Sequence, residues 1–211
     1  MLREVALDKI EVLVDAITAG VERVELNANL EVGGLTPADA IVLEAVELTK
    51  NAGTELVVMV RPRPGDFNYS YVEIEQMIKT LRRFRSFGVK AVTFGVLNDQ
   101  HTLARDKMAK LMEAAGSMTV IFHMAFDEIP LDKQSQTLEW LARYGVKRLL
   151  THGGQLEQPI QVTLPHLLET VQQAPATLEI LPGGGVTFAN AQAVIDALGV
   201  GQVHGSHIIE I

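Results

Sequence analysis

SYVEIEQMIKTLRRFRSFGVKAVTFGV, residues 70–96, contains one full helix-to-strand unit, and its reading decides the fold. Ser70, with Glu73 three positions on, is the signature of a helix start whose cap and acidic partner satisfy each other. Ile74, Met77, Ile78 and Leu81 then recur at helical spacing and form one apolar stripe. Gly88 suits the left-handed turn that stops a helix, Val89 begins the return, and the apolar run Ala91–Val96 reads as a buried strand.

The same grammar extends in both directions. Strand-like runs are expected at Arg3–Leu7, Arg23–Leu26, Leu56–Val60, Ala91–Val96, Thr119–Phe122, Lys147–Leu150, Leu178–Leu181 and Gln202–Ser206, with seven helices between them. Gly-Val pairs precede every second strand, at Gly20, Gly88, Gly145 and Gly199, an alternation that suits a barrel layered from alternate strands. Further helix starts are read at Asp8 with Glu11, at Thr36-Pro37 with Asp39, and at Thr187. Strands alternating with helices argue parallel βα units, and no linker divides the chain. The expectation is one α/β domain over residues 1–211, a single TIM-type (βα) barrel with eight parallel strands. After Ser206 too few residues follow for an eighth helix, so a partner subunit or a leaning neighbouring helix should cover the outer stripe of strands eight and one. A homo-oligomer is expected on that ground.

Composition narrows the function. Of 211 residues, 18 are Lys or Arg and 26 are Asp or Glu, a net charge of −8 that argues against a nucleic-acid or polybasic membrane footprint. No cysteine is present, which excludes disulfides, thiolate nucleophiles and thiolate metal sites. No signal peptide opens the chain and no apolar run is long enough for a membrane span, so a cytoplasmic protein without membrane or nucleic-acid partners is expected.

In a βα barrel the chemistry sits at the carboxyl ends of the strands. The period of two puts Glu4 with Ala6, Glu25 with Asn27, Ile121 with His123, and His204 with Ser206 on shared faces. If those faces point inward, Glu25 and His123 are candidate acid–base groups. Glu25 and Arg61 are placed to pair across the barrel top, either as a structural ion pair or as an acid–base group beside an anion-binding arginine. His123 is equally open as a metal ligand or a hydrogen-bonded histidine of the rim. Gly183-Gly184-Gly185, after strand seven, is an anion-cradling loop or a tight turn; Thr151 and Ser206 stand at neighbouring strand ends. Arg61-Pro62-Arg63-Pro64-Gly65-Asp66 is a stiff basic rim in which both arginines suit carboxylate or phosphate and Asp66 can orient one of them. Without cysteine, a copper site has to use His and Met.

Taken together, Arg23-Val-Glu-Leu26, Gly33-Gly34-Leu35-Thr36-Pro37, Arg61-Pro-Arg with Gly65-Asp66-Phe67 and Tyr69-Ser70, Phe122-His123 with Ala125-Phe126-Asp127, Leu150-Thr151 with Gly153, Pro182-Gly183-Gly184-Gly185 and Val203-His204 resemble the CutC copper homeostasis family over nearly the whole chain. The resemblance implies a TIM-type barrel, a cytoplasmic location and a part in copper handling. The sequence departs from the family pattern at Ala6 and Asn27, where relatives often carry cysteine, at Met124 in place of arginine, and at His152 in place of a small polar residue. Copper binding, on this reading, falls to His123, Met124, His152 and His204 at the barrel mouth. The competing expectation is an enzyme that holds a small phosphate or carboxylate with Arg61, Arg63, Asp66, Thr151, Gly183 to Gly185 and Ser206, and moves protons with Glu25 and His123.

Overall fold

In the computed structural model, which describes residues 1–209, fifteen main elements alternate as β1 (Leu2–Leu7), α1 (Ile10–Thr18), β2 (Arg23–Leu26), α2 (Asp39–Ala52), β3 (Glu55–Met59), α3 (Tyr71–Ser86), β4 (Ala91–Phe94), α4 (Arg105–Ala115), β5 (Thr119–Phe122), α5 (Leu131–Arg143), β6 (Arg148–Thr151), α6 (Ile160–Gln173), β7 (Glu179–Pro182), α7 (Ala191–Leu198) and β8 (Gln202–Gly205). Every strand ladder is parallel, in the order β7-β6-β5-β4-β3-β2-β1-β8, so the sheet curls into a nearly closed barrel. Between β7 and β8 no ladder forms among the described residues. There the wall is joined by Gln202 Nε2 donating to Glu179 Oε2 at 3.2 Å and, above the strands, by a bridge between Thr187 and His207.

The local signals act unevenly. Ser70 and Glu73 form the expected reciprocal cap on α3. The other three starts are corrected. Asp8 instead accepts from the Leu30 N–H, and α1 begins at Ile10 with no side-chain cap. The Thr36 hydroxyl bonds the backbone of Arg61 on both its C=O and N–H, leaving α2 to begin at Asp39. Thr187 lies ahead of a turn closed by Asn190, and α7 starts at Ala191. Gly20, Gly88, Gly145 and Gly199 all have positive φ, but so do Gly53 and Gly116 before β3 and β5, so the glycine stop is not confined to every second unit; α6 ends instead at Ala174 in extended backbone.

No helix follows β8 among the described residues; Glu210 and Ile211 lie outside them. The outer stripe of β1 and β8 is nevertheless covered within the chain: Val5, Leu7 and Val203 are buried in one apolar cluster with Leu13 and Ala16 of α1, Val194 and Leu198 of α7, and Ile208. Of the two expected covers, a partner subunit or a neighbouring helix, the described residues show the second.

Register sets what faces the interior. Glu4 aligns with Arg23 and with His204, Ala6 with Glu25, Arg23 with Glu55, and Glu25 with Val57. On β3 to β7 the inward layer is apolar, with Val57, Ala91, Ile121, Leu150 and Leu181 packed together. On β8, β1 and β2 it is ionic. Glu4 pairs with the Arg23 Nε, and Arg23 Nη2 donates to Gln202 Oε1 at 2.7 Å. Below the aliphatic layer, at the barrel floor, β3 and β6 are charged as well, with Arg148 Nη1 donating to Glu55 Oε1 at 2.9 Å.

Removing Arg23 leaves the Glu4 carboxylate buried without its cation. Arg23→Met is expected to lower stability by about 3–5 kcal/mol in urea unfolding at pH 7. Lys147→Met, which removes an exposed pair to Glu179, should change it by less than about 1 kcal/mol.

Candidate functional site

At the carboxyl ends of the strands the barrel opens into a cavity of about 290 Å³, lined by Glu25, Arg61, His123, Met124 and His204 and by the Gly184-Gly185 backbone. A wider open groove of about 1020 Å³ runs outside the barrel past Asn98, Arg105, Lys107 and Lys133, and none of the interior ionic groups lines it.

One wall of the cavity comes from β8, β1 and β2. His204 Nδ1 lies 2.7 Å from Glu4 Oε1, a carboxylate already paired with Arg23. Glu4 thereby fixes the proton on Nδ1 and the orientation of the ring. Burial alone pulls the His204 pKa down, but the Glu25 and Glu4 carboxylates outweigh it, and the net shift is upward. Burial also pushes Glu25 up, against the opposing pull of His204. Asn27 Nδ2 donates to Glu25 Oε1 at 3.0 Å, holding the carboxyl in place, and Glu25 Oε2 is buried with no hydrogen-bond partner among the described residues.

The facing wall centres on His123, at the end of β5. Its Nδ1 accepts from the Ala125 N–H at 3.2 Å, so the ring proton sits on Nε2. Nε2 is buried and without a partner among the described residues. Burial, reinforced by the Arg61 charge, lowers the His123 pKa to about 3, and the ring is a neutral N–H donor. Arg61 is held by backbone carbonyls: Nη1 donates to Val32 at 3.1 Å and Gly34 at 3.3 Å, and Nη2 to Gly65 at 2.8 Å. Its guanidinium lies over Phe67, 4.9 Å from the ring centroid, and Phe67 packs on His123 at 4.7 Å. Arg61 does not pair with Glu25, contrary to the sequence expectation. It makes no ion pair with any carboxylate among the described residues, and its Nε is a further orphan, as is the Thr93 hydroxyl below.

The remaining expected site residues divide. Gly184, Gly185 and Ser206 border the cavity, and Gly183 adjoins it closely enough that a Cβ there would meet Leu150, Met124 and His204. Arg63 and Asp66 do not: they pair at 2.9 Å on the outer rim, where Arg63 also reaches Glu73. Asp66 orients Arg63 as expected, but neither faces the cavity. Thr151 is occupied too. Its hydroxyl donates to Asp127, whose carboxylate also accepts from the His152 and Gly153 N–H groups, so this loop holds an anion that the chain itself supplies.

Of the expected copper donors, His123, Met124 and His204 line the cavity and His152 does not. His152 is fully buried, with Nδ1 3.0–3.1 Å from the Gly183 and Gly184 carbonyls and Nε2 3.0 Å from that of Gln158. The Nδ1 lone pair of His123 is taken by the Ala125 N–H, so in this tautomer the ring has none free for a metal. Among the described residues, the His and carboxylate groups close enough to form a three-ligand set are Glu4, Glu25 and His204, within 4.8 Å of one another. Glu4 and Arg23 were missing from the expected site. The shared face of Glu4 and Ala6 was legible, but the β1–β8 register was not.

Since the His123 pKa falls from the ordinary 6.5 to about 3 on folding, the unfolded chain binds a proton that the folded one refuses, and stability should fall as pH drops from 6.5 toward 3. The His123 Hε1 resonance should stay flat on that descent until near the bottom of the range, with no proton on Nδ1. His123→Gln should make the acid decline in stability shallower.

The family model described as the CutC family matches residues 1–209. A "family protein CutC" of Enterococcus faecalis is 34% identical over 209 residues, covering 99% of this chain and all of that one. The human "Copper homeostasis protein cutC homolog" is 33% identical over 205 residues, covering 97% of this chain and 72% of its own length. The crystal structure of the "Putative Copper Homeostasis Protein CutC" from Streptococcus agalactiae superposes with a TM-score of 0.96 at 33% identity, covering 99% of this chain and all of that one. A solved aldolase at 14% identity, TM-score 0.74, shares the fold alone. With the barrel, its strand-end motifs and these relatives in agreement over the full match, this chain belongs to the CutC family of copper homeostasis proteins.

Proposed function

We propose that the barrel mouth is an acid–base site for a small molecule carrying a phosphate or carboxylate. The observation that supports it is Arg61: a buried guanidinium with no carboxylate partner among the described residues, on the wall of a cavity also lined by Glu25 and His123, whose Oε2 and Nε2 are buried without hydrogen-bond partners. A buried cation without a counter-charge is costly, and an anionic ligand removes that cost. Donors and acceptors left bare within one cavity ask for a polar occupant. In this reading Arg61 supplies charge, the Gly184-Gly185 backbone and Ser206 border the ligand, Glu25 moves a proton, and His123 donates a hydrogen bond. His123 is thus assigned a different role from the general base expected from sequence.

Calorimetric titration with inorganic phosphate, 2-phosphoglycolate and glyoxylate should detect binding that weakens at least tenfold in Arg61→Met, with Arg61→Lys intermediate and both variants folded by circular dichroism. The exposed Arg83→Met is the control. No binding of any of these anions, or equal binding by folded Arg61→Met, overturns the reading.

The family's association with copper carries over as a role without a ligand set. The His/Met set His123, Met124, His152 and His204 does not fit a copper centre, because the nitrogens of His152 meet carbonyls and His123 offers a proton. Anaerobic Cu(I) titration is expected to give no stoichiometric complex. A stoichiometric complex abolished by His123→Ala would reverse that conclusion.

A further inference from the structure

The two walls carry complementary chemistry. On β2, Glu25 offers a bare carboxylate oxygen, with its other oxygen held by Asn27. Three strands from β2, and lining the same cavity, His123 offers a neutral N–H whose tautomer is fixed by a backbone amide. A neutral donor facing a carboxylate base is the arrangement that stabilises an oxygen gaining charge while a neighbouring carbon loses a proton. Burial raises the basicity of Glu25, which favours abstraction of a weakly acidic proton. Arg61, linked to His123 through Phe67, provides for a charged group on the same molecule.

Resting on the anion-site reading, we propose that the cavity binds an α-hydroxy carbonyl compound bearing a phosphate or carboxylate and enolises it, with Glu25 as the base and the His123 N–H on the carbonyl oxygen. Glu25 Oε2 takes the proton from the carbon bearing the hydroxyl. The C–H electron pair becomes the carbon–carbon double bond, and the carbonyl π pair moves onto the oxygen held by His123. Glu25 then returns its proton to the former carbonyl carbon, while the hydroxyl proton passes to the enolate oxygen. The carbonyl and hydroxyl have exchanged places, atoms and electrons balance, and no external oxidant or reductant is needed. Glu4 is a positioning residue: by fixing His204 beside Glu25 it sets the field in which the carboxyl works.

The test incubates the full chain in D2O with dihydroxyacetone phosphate, ribulose 5-phosphate and hydroxypyruvate and follows deuterium entry next to the carbonyl by proton NMR. At least one compound should exchange roughly 100-fold or more above protein-free buffer, the scale of a positioned acid–base group. Glu25→Gln, nearly isosteric, should abolish that gain at unchanged thermal stability. His123→Gln, which retains an N–H at the Nε2 position, should keep more exchange than His123→Leu, and anion binding should survive in all three. Exchange no faster than buffer while phosphate or carboxylate still binds overturns enolisation and leaves the anion site standing; absence of both removes both. Exchange that persists in Glu25→Gln overturns the assignment of the base.

Discussion

The pairing of Glu4 with Arg23 inside the barrel is the interaction on which the rest depends. Two charges withdrawn from water on adjacent strands gain little or nothing over a well-packed apolar pair, yet losing either partner is severe. The barrel accepts this arrangement on β8, β1 and β2, and on β3 to β7 it packs one aliphatic layer above the Arg148–Glu55 pair of the floor. Above that floor the interior has a polar side and an apolar side. Arg23 neutralises one oxygen of Glu4, and the other is free to hold His204, which in turn faces Glu25. The chemistry above thus stands on an ion pair one layer below it.

Charge is divided between the two walls with little overlap. The wall of β8, β1 and β2 holds groups that exchange protons, packed close enough that each carboxylate changes the affinity of its neighbour. The β3–β5 wall holds a fixed cation and a histidine kept neutral beside it. In the proposed reaction, this separation would orient a bound molecule with its anionic end to one wall and its reacting carbon to the other. The absence of cysteine, at Ala6 and Asn27 in particular, leaves this wall to oxygen and nitrogen donors.

What the sequence made legible was local. The period of two put Glu25, Asn27, His123 and His204 on inward faces, and cap and turn residues located the strands to within a residue or two. Interactions set by distant register were not legible. Glu4 meets His204 only because β8 aligns with β1 in one particular offset, and nothing in either strand declares it. Arg61 turned from Glu25 to carbonyls because Asn29, Gly33 and Gly34 adopt positive φ and aim the loop's C=O groups inward. Thr151 lost its role to Asp127, which a short turn over Met124–Glu128 carries across the strand end.

Glu4 and His204 stand 200 positions apart, and their contact lies on the ladder that completes the barrel. Bringing together residues this far apart costs loop-closure entropy that the completed ladder repays. Until β8 arrives, β1 is an open edge beside a charged inner face, and inward charges at such an edge discourage a foreign strand from docking there. Whenever β8 is unpaired, the charges on the inner face of β1 would therefore also protect its open edge.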